Sequence, residues 1–562
     1  MPIRTCKAIF CCLILLLGVF GKGFCTVIEV DTNHSLSSAI RTTNPGDTLW
    51  LRDGVYRENV RVLNHSVVLA SGYLFDGDTS HITSTIIEAE TTDLDSSSCI
   101  IVSLPTTDSL TVIGLVIRGG RGTTWHGPSD DWVAGGGIFA DASRVCIEYS
   151  RVVDCRAQRG GGIANLSLDP DSAEGSLRLQ SCKVQNCYAE LYGGGVFTFQ
   201  SSADLQFCTM AACTSQQSAG GVHTGGFATM NSCTLRQCGG IWGGAMLESH
   251  NSIVENCLFE ENGNPQSSQF FGSCNLLVAG NVITRHCIFR NNTTNDAAVV
   301  IHDFPRFGIP FFFGNVIEFH TMTDRIGAVY LWNCQGEFSY NVMNGCYAQR
   351  GASIVPSGSV FFHHNAFWGN GQDGNDGGSV FCFNNQGLTP GRIDSNMFEG
   401  NIGTVFYRDN SIPNPPTLNA RNNWWGDASG PYHPVLNPDG QGDTILITGV
   451  EIEPWLTEPP DTTLSGVDPR SLPQLGSTWK LLSVYPNPFN STLRIELAGF
   501  TGMDFNLSLY DILGRKQTEL HSGRLFGGTL TFEAPVALAS GIYFLRASDA
   551  TTAETRKVVF MK

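Results

Sequence analysis

The sequence predicts an all-β protein: a parallel β-helix solenoid followed by a small C-terminal Ig-like β-sandwich. Three observations carry the larger part. First, residues 115–406 repeat one short unit about eleven times, as a solenoid, propeller or helical array does. Aligned on two positions five apart, Ser150/Cys155, Cys182/Cys187, Cys208/Cys213, Cys233/Cys238, Cys257/Asn262, Cys287/Asn292, Asn315/His320, Asn341/Cys346, Asn365/Asn370 and Asn396/Asn401 fall into register, 24 to 32 residues apart. Second, glycine is 63 of 562 residues and the apolar runs are short with period-2 alternation, which excludes helical hairpins. Third, a coil of about 25 residues is too short for a propeller blade of roughly 40–50.

Equivalent positions of successive parallel coils stack about 4.8 Å apart. The first position of each pair therefore reads Ser, five Cys, then four Asn along the stack. Buried Asn hydrogen-bonds along such a ladder, and free Cys packs there as a small hydrophobe. Disulfides between stacked neighbours such as Cys182 and Cys208 are the second reading. Zinc is a poor third, because the Cys pairs climb the stack and never converge on one tetrahedral point.

Composition narrows the partners. Net charge is −17, and Lys183 is the only lysine between Lys22 and Lys480. A basic track for phosphate backbones is missing, so nucleic acid is not an expected partner. The overall charge repels an acidic polysaccharide, which only local arginines would attract. A chain of this length is expected to split into an elongated domain and at least one further module.

In chain order, residues 1–25 read as a secretory signal: Arg4 and Lys7, an apolar core at 8–20, then a small-residue exit. That core is too short to span a membrane, and no later segment is long enough. Residues 26–458 form the coil. A short amphipathic helix at 35–41 begins its cap, which covers the open strand edges. The run Pro45-Gly46-Asp47-Thr48-Leu49-Trp50-Leu51 then Asp53-Gly54-Val55-Tyr56 resembles the opening of right-handed β-helix proteins related to pectate lyases. Asn422-Asn423-Trp424-Trp425-Gly426 through Gly430-Pro431 resembles their closing coils, so the resemblance implies a right-handed coil. Residues 121–134, 165–175, 303–313 and 371–378 break the rhythm and are expected to be loops, often on the working face.

Residues 459–477, rich in Pro, Thr, Asp and Ser, are a linker. Residues 478–562 show alternating strands at sandwich spacing. In order they carry Tyr485-Pro486-Asn487-Pro488-Phe489-Asn490, Leu509-Tyr510-Asp511-Ile512-Leu513-Gly514-Arg515, Gly541-Ile542-Tyr543-Phe544 and Arg556-Lys557. Together these resemble the C-terminal sorting domain of the type IX (Por) secretion system. The resemblance implies that the type IX machinery is a partner. It places the protein outside the cell, or on the outer surface, of a Gram-negative-type bacterium. An ordinary adhesive sandwich is the alternative.

The chemistry is less legible. The loop set Trp125, His126, Asp130, Asp131 and Trp132 joins stacking rings to titratable groups, as sugar binding requires. Asp130, Asp131 and His126 are the catalytic candidates, but no ordered Gly-His-Gly or Arg-x-Lys follows them, so the galacturonan-hydrolase pattern is incomplete. Asp154, Arg156 and Arg159 cluster near a turn, with surface pairing as the plain reading. Asp169, Asp171 and Glu174 are an oxygen-rich set that suits calcium, though short of a full calcium loop. No other cofactor is expected. Finally, the apolar pair after each turn sends one member to each face of its strand. Its second members, among them Phe139, Phe197, His223, Tyr330, Phe381 and Phe406, are expected to stack into an outward aromatic stripe unless a loop such as 303–313 covers it. The sequence thus reads as an exported protein that binds or adheres to carbohydrate. A polysaccharide lyase or glycoside hydrolase is the rival, and a structural spacer the third reading.

Overall fold

The computed structural model describes residues 25–462 and 480–561 apart from short stretches, the longest being 264–275, 303–310, 372–379, 384–391 and 409–416. The expected signal (residues 1–24), the calcium set Asp169, Asp171 and Glu174, most of the linker, and Pro486, Asn487, Pro488 and Gly514 lie outside the described residues. Contacts divide the chain into two units, Met1–Leu464 and Ser465–Lys562.

The first unit is a parallel β-helix of three long sheets with 14, 13 and 13 strands. Each coil gives one strand to each sheet, as Ser202–Gln206, Thr209–Ala211 and Val222–Gly225 do. We number these sheets 1, 2 and 3. The helix expected near the start is Leu36–Ile40, capped by Ser35, whose hydroxyl accepts from the Ser38 N–H.

The corners explain the repeat. Between sheets 1 and 2 one residue swings to positive φ, as at Ser181, Phe207, Ser232, Asn256, Tyr340 and His364, all at 54° or 55°. The residue after it points into the lumen and is the first ladder position. Non-glycine residues pay about 1–2 kcal/mol at such a φ, and the buried hydrogen bonds that follow offset it. Asn341 Nδ2 donates to Phe312 O (3.0 Å) and to Asn365 Oδ1 (3.0 Å), while its own Oδ1 accepts from the Asn315 N–H (2.9 Å). The chain of bonds continues through Asn396 to Asn423. In the earlier coils Cys takes the same donor role: Cys182 Sγ reaches Ile147 O at 3.2 Å and Cys233 Sγ reaches Leu205 O at 3.3 Å. The ladder cysteines among the described residues are stacked rather than bridged by disulfides.

Between the corner after sheet 2 and sheet 3, successive coils nearly touch. A Cβ on Gly161 would meet Tyr188 O at 2.3 Å and Gly194 O at 2.5 Å, so only glycine fits. The lumen is aliphatic and thiol-filled early and aromatic later: Phe312 stacks on Phe338 (5.0 Å) and Phe367 on Phe398 (5.1 Å). Trp425, fully buried, stacks on Phe398 at 4.8 Å, and beyond it Ile445, Val450 and Ile452 extend the same core, with Val450–Glu451 pairing onto Leu418–Asn419.

Three expected loops differ: Asn165 and Leu166, placed at the start of the 165–175 loop, end the buried sheet 3 strand Ile163–Leu166. Residues 121–134 form an antiparallel hairpin of Thr123–His126 and Asp131–Ala134. Residues 311–313 are the sheet 1 strand Phe311–Phe313, with Phe312 in the lumen. An apolar run at strand length with β-forming residues is a strand even inside a rhythm break.

The second unit has a three-stranded sheet and a four-stranded sheet with a core that includes Phe489, Leu493, Ile495, Leu507, Leu509, Leu545 and Phe560. Tyr485 pairs with Arg494, and Arg515 closes a turn through its Nε bond to Asp511 at 2.8 Å. Arg556 and Lys557 are exposed on the strand Ala553–Phe560.

Candidate functional site

The outer face of sheet 3 gathers most of the residues singled out by the sequence. Its outward column runs Ile101, Phe139, Ala164, Phe197, His223 and Met246, one residue from each coil. The hairpin folds over the start of this column. Trp125 and Trp132 face each other across it, ring centroids 5.0 Å apart, and pack with Phe139, Ala164, Leu166 and Phe197 in a second apolar core. Trp125 Nε1 donates to Asp141 at 3.0 Å, which pins the hairpin down. The expected open stripe is therefore covered here: Phe139 is 5 % exposed and Phe197 2 %.

Further along, the stripe is corrected by register. Ile354 pairs with Phe381 and Phe381 with Phe406, so both phenylalanines belong to the inward column and are fully buried in the lumen. Cys382 and Tyr407 take the outward places. A one-residue change in the chain between strands sends every side chain to the other face. Tyr330 keeps its outward place between Val300 and Val355 but is buried.

The hairpin also extends a five-stranded side sheet through Arg156–Arg159 and Tyr188–Tyr192. Register places Ala134, Arg159 and Tyr192 side by side. There the Arg159 guanidinium lies 3.6 Å from the Trp132 ring centroid, 4.8 Å from that of Tyr192 and 6.0 Å from that of Phe197. His223 packs edge-on against both Tyr192 and Phe197 at 5.2 Å, with its Nδ1 held 2.7 Å from Ser218 Oγ. The Arg159 Nε is buried without a hydrogen-bond partner, and burial pushes the guanidinium below its ordinary pKa. The rings set the plane of the cation by cation–π attraction and leave its Nε–H without an acceptor.

Of the catalytic candidates, His126 Nδ1 pairs with Asp131 at 2.9 Å, but these side chains are 82 % and 64 % exposed at the hairpin tip. Asp130 is also exposed. Water bathes all three, with none of the burial that prepares an acid or base. Sequence reading passed over Tyr192 and left Arg159 as a surface turn residue. The signal was faint: both lie where a strand continues past the corner, visible only once Ala134, Arg159 and Tyr192 are in register. Among the described residues no group of three His, Cys, Asp or Glu is arranged to hold a metal.

Two family descriptions match the chain. Residues 483–561 match the secretion system C-terminal sorting domain, and residues 164–318 match the right handed beta helix region. No curated protein matches it. No described helix is long and apolar enough to cross a membrane.

Proposed function

We propose that this chain, a right-handed β-helix protein addressed by its sorting domain to type IX secretion and the outer cell surface, binds carbohydrate there through the cage around Arg159. The observation that carries the reading is the unspent guanidinium: a half-buried cation held flat among Trp132, Tyr192 and Phe197 with its Nε unpartnered. A sugar carboxylate pairs with the solvent-facing part of this half-buried guanidinium, and the half-exposed Tyr192 ring offers a face for the pyranose. The chain's net charge of −17 keeps such an interaction local and salt-sensitive. The polysaccharide lyase or hydrolase reading gains little here, since the nearby carboxylates Asp130 and Asp131 are solvated at the hairpin tip.

The test is affinity electrophoresis of the full chain against polygalacturonate, alginate and neutral xylan, with assays for new unsaturated and reducing ends. Retention by a uronate polymer, lost in Arg159→Met, supports the cage. Equal retention of wild type and Arg159→Met sinks it, and new chain ends would favour the enzyme.

A further inference from the structure

On the outer face of sheet 2, several cations stand beside a carboxylate from a neighbouring coil. Arg57 and Arg118 both pair with Glu88, at 3.1 and 3.3 Å, and Arg290 pairs with Glu260 at 3.0 Å. Arg236 stands next to Glu260 in register, but that carboxylate is taken by Arg290. Arg151 and Lys183 break the pattern outright. Register sets them side by side, on Arg151–Val153 and Lys183–Gln185. Two cations thus leave the backbone about 4.8 Å apart, where like charges destabilise a sheet.

Arg151 is held but not neutralised. Its Nη2 donates to Gln185 Oε1 at 3.1 Å, on the strand that carries Lys183, while its Nε is buried without an acceptor. Glu148 lies before one corner of the same coil, and Asp154 forms the next. Glu148 accepts from Cys146 Sγ at 3.5 Å, and Asp154 from Asn186 Nδ2 at 3.2 Å. Lys183 is exposed, yet crowded at its base. Partial burial, then Arg151 and Arg236, pull its ammonium below the ordinary lysine pKa, and no described carboxylate opposes them.

The same outward column continues through Thr209 and Thr234. Both are half-buried, and neither hydroxyl is bonded to another described residue. The column therefore offers a guanidinium, an ammonium and two hydroxyl donors, one per coil, over about 14 Å. A carboxylate would cancel one of the two charges and leave the other. A dianion with three acceptor oxygens cancels both and can bond to Arg151, Lys183 and Thr209 together. A phosphate monoester has that charge, about −1.5 to −2 at pH 7, whereas a sulfate monoester carries a single one.

We propose that Arg151, Lys183 and Thr209, on the outer face of sheet 2, form a binding site for the phosphate group of a phosphomonoester. Arg151 and Lys183 supply the charge, Thr209 adds a hydroxyl donor, and Gln185 positions the guanidinium. Binding relieves the repulsion between two neighbouring cations, so it also stabilises the coils that carry them. The chain's acidic balance, 51 Asp and Glu against 34 Lys and Arg, confines the attraction to this spot. The site lies on a different sheet from the Arg159 cage and does not depend on the carbohydrate reading.

Lys183 reports on its own site, because it is the only lysine between Lys22 and Lys480. The full chain is acylated with a succinimidyl ester in mildly alkaline buffer, with chloride, phenyl sulfate or phenyl phosphate at matched ionic strength. Mass spectrometry follows the label on each lysine. Phenyl phosphate is expected to slow acylation of Lys183 by about fivefold or more, to leave Lys516 and Lys557 unaffected, and to raise the melting temperature. Phenyl sulfate, alike in shape but with less charge, should protect far less. Arg151→Gln should abolish the protection, and Lys183→Met should lose the melting shift, each with a phosphate-free melting curve no lower than wild type. Protection by glucose 6-phosphate or by phosphatidate vesicles supports the site and names its source, a soluble ester or a lipid headgroup. No slowing by phenyl phosphate relative to chloride, equal protection by phenyl sulfate, or full protection in Arg151→Gln would each overturn the proposal.

Discussion

Arg159 holds its guanidinium 3.6 Å from the centroid of the Trp132 ring, and Trp132 belongs to the hairpin that the sequence presented as a loop. The cation and the covering hairpin are thus one unit. Trp132→Ala removes a buried ring from the second core and about 1–2 kcal/mol of cation–π attraction. The expected outcome is a local opening: faster proteolysis within residues 121–134, with the main melting transition lowered by only a few degrees. A hairpin as protease-resistant as wild type would refute the coupling.

The asparagine ladder makes a sharper demand. Asn341→Leu strands the Asn315 N–H and the Phe312 carbonyl inside the lumen, both of which Asn341 now serves. Each buried group left without a partner costs about 1–3 kcal/mol. We expect chemical denaturation to show a loss of about 3 kcal/mol, and a loss below 1 kcal/mol would mean that the coil repacks around leucine.

His320 stands in the second ladder column between Asn292 and Cys346. Burial pushes its imidazole from 6.5 down to about 4, and its Nε2 donates to Phe289 O at 2.9 Å. Below pH 6.5 the unfolded chain takes up a proton that the folded chain refuses. Stability from this group therefore falls as pH drops from 6.5 toward 4 and levels off below, by up to about 3 kcal/mol. Asp443 works in the opposite sense. Burial raises it from 3.8 to about 6, so its contribution is fullest below 3.8 and is lost as pH rises through 6. His320→Asn, which restores the donor used by Asn292 toward Phe259 O, should flatten the acid limb of a stability–pH curve. An unchanged limb would show that other groups set it.

Ala212 sits at the sheet 2 corner with φ 52° and no side-chain role to compensate. Ala212→Gly relieves the left-handed strain, against glycine's greater entropy loss on folding. The expected net gain is about 0.5–1 kcal/mol by denaturant titration. A loss would show that the corner tolerates Cβ without cost.

Much of the fold was legible because a coil must return to the same corner, and Cys182, Cys208, Cys233 and Cys257 mark that corner in the sequence. The register of sheet 3 was legible only while the spacing held. Between Ile354 and Phe381 the chain from corner to strand changes length, and alignment on Val380 placed Phe381 on the wrong face. The hairpin carries its own alternation, yet nothing in the sequence says which surface it covers. The pair of Glu337 and His363, 3.1 Å apart, was invisible for a related reason: only stacking of successive coils makes them neighbours.

The uniform corner has a consequence for how such a chain changes over generations. Ser232 and Asn256 hold the same φ of 55°, and each is followed by a ladder cysteine, Cys233 and Cys257. Deleting residues 233–256 would join Ser232 directly to Cys257, leaving one cysteine column, one backbone geometry and one fewer storey. Gene rearrangement can therefore adjust the reach of this protein in whole storeys, while the ends that bear its cap and its export address stay as they are.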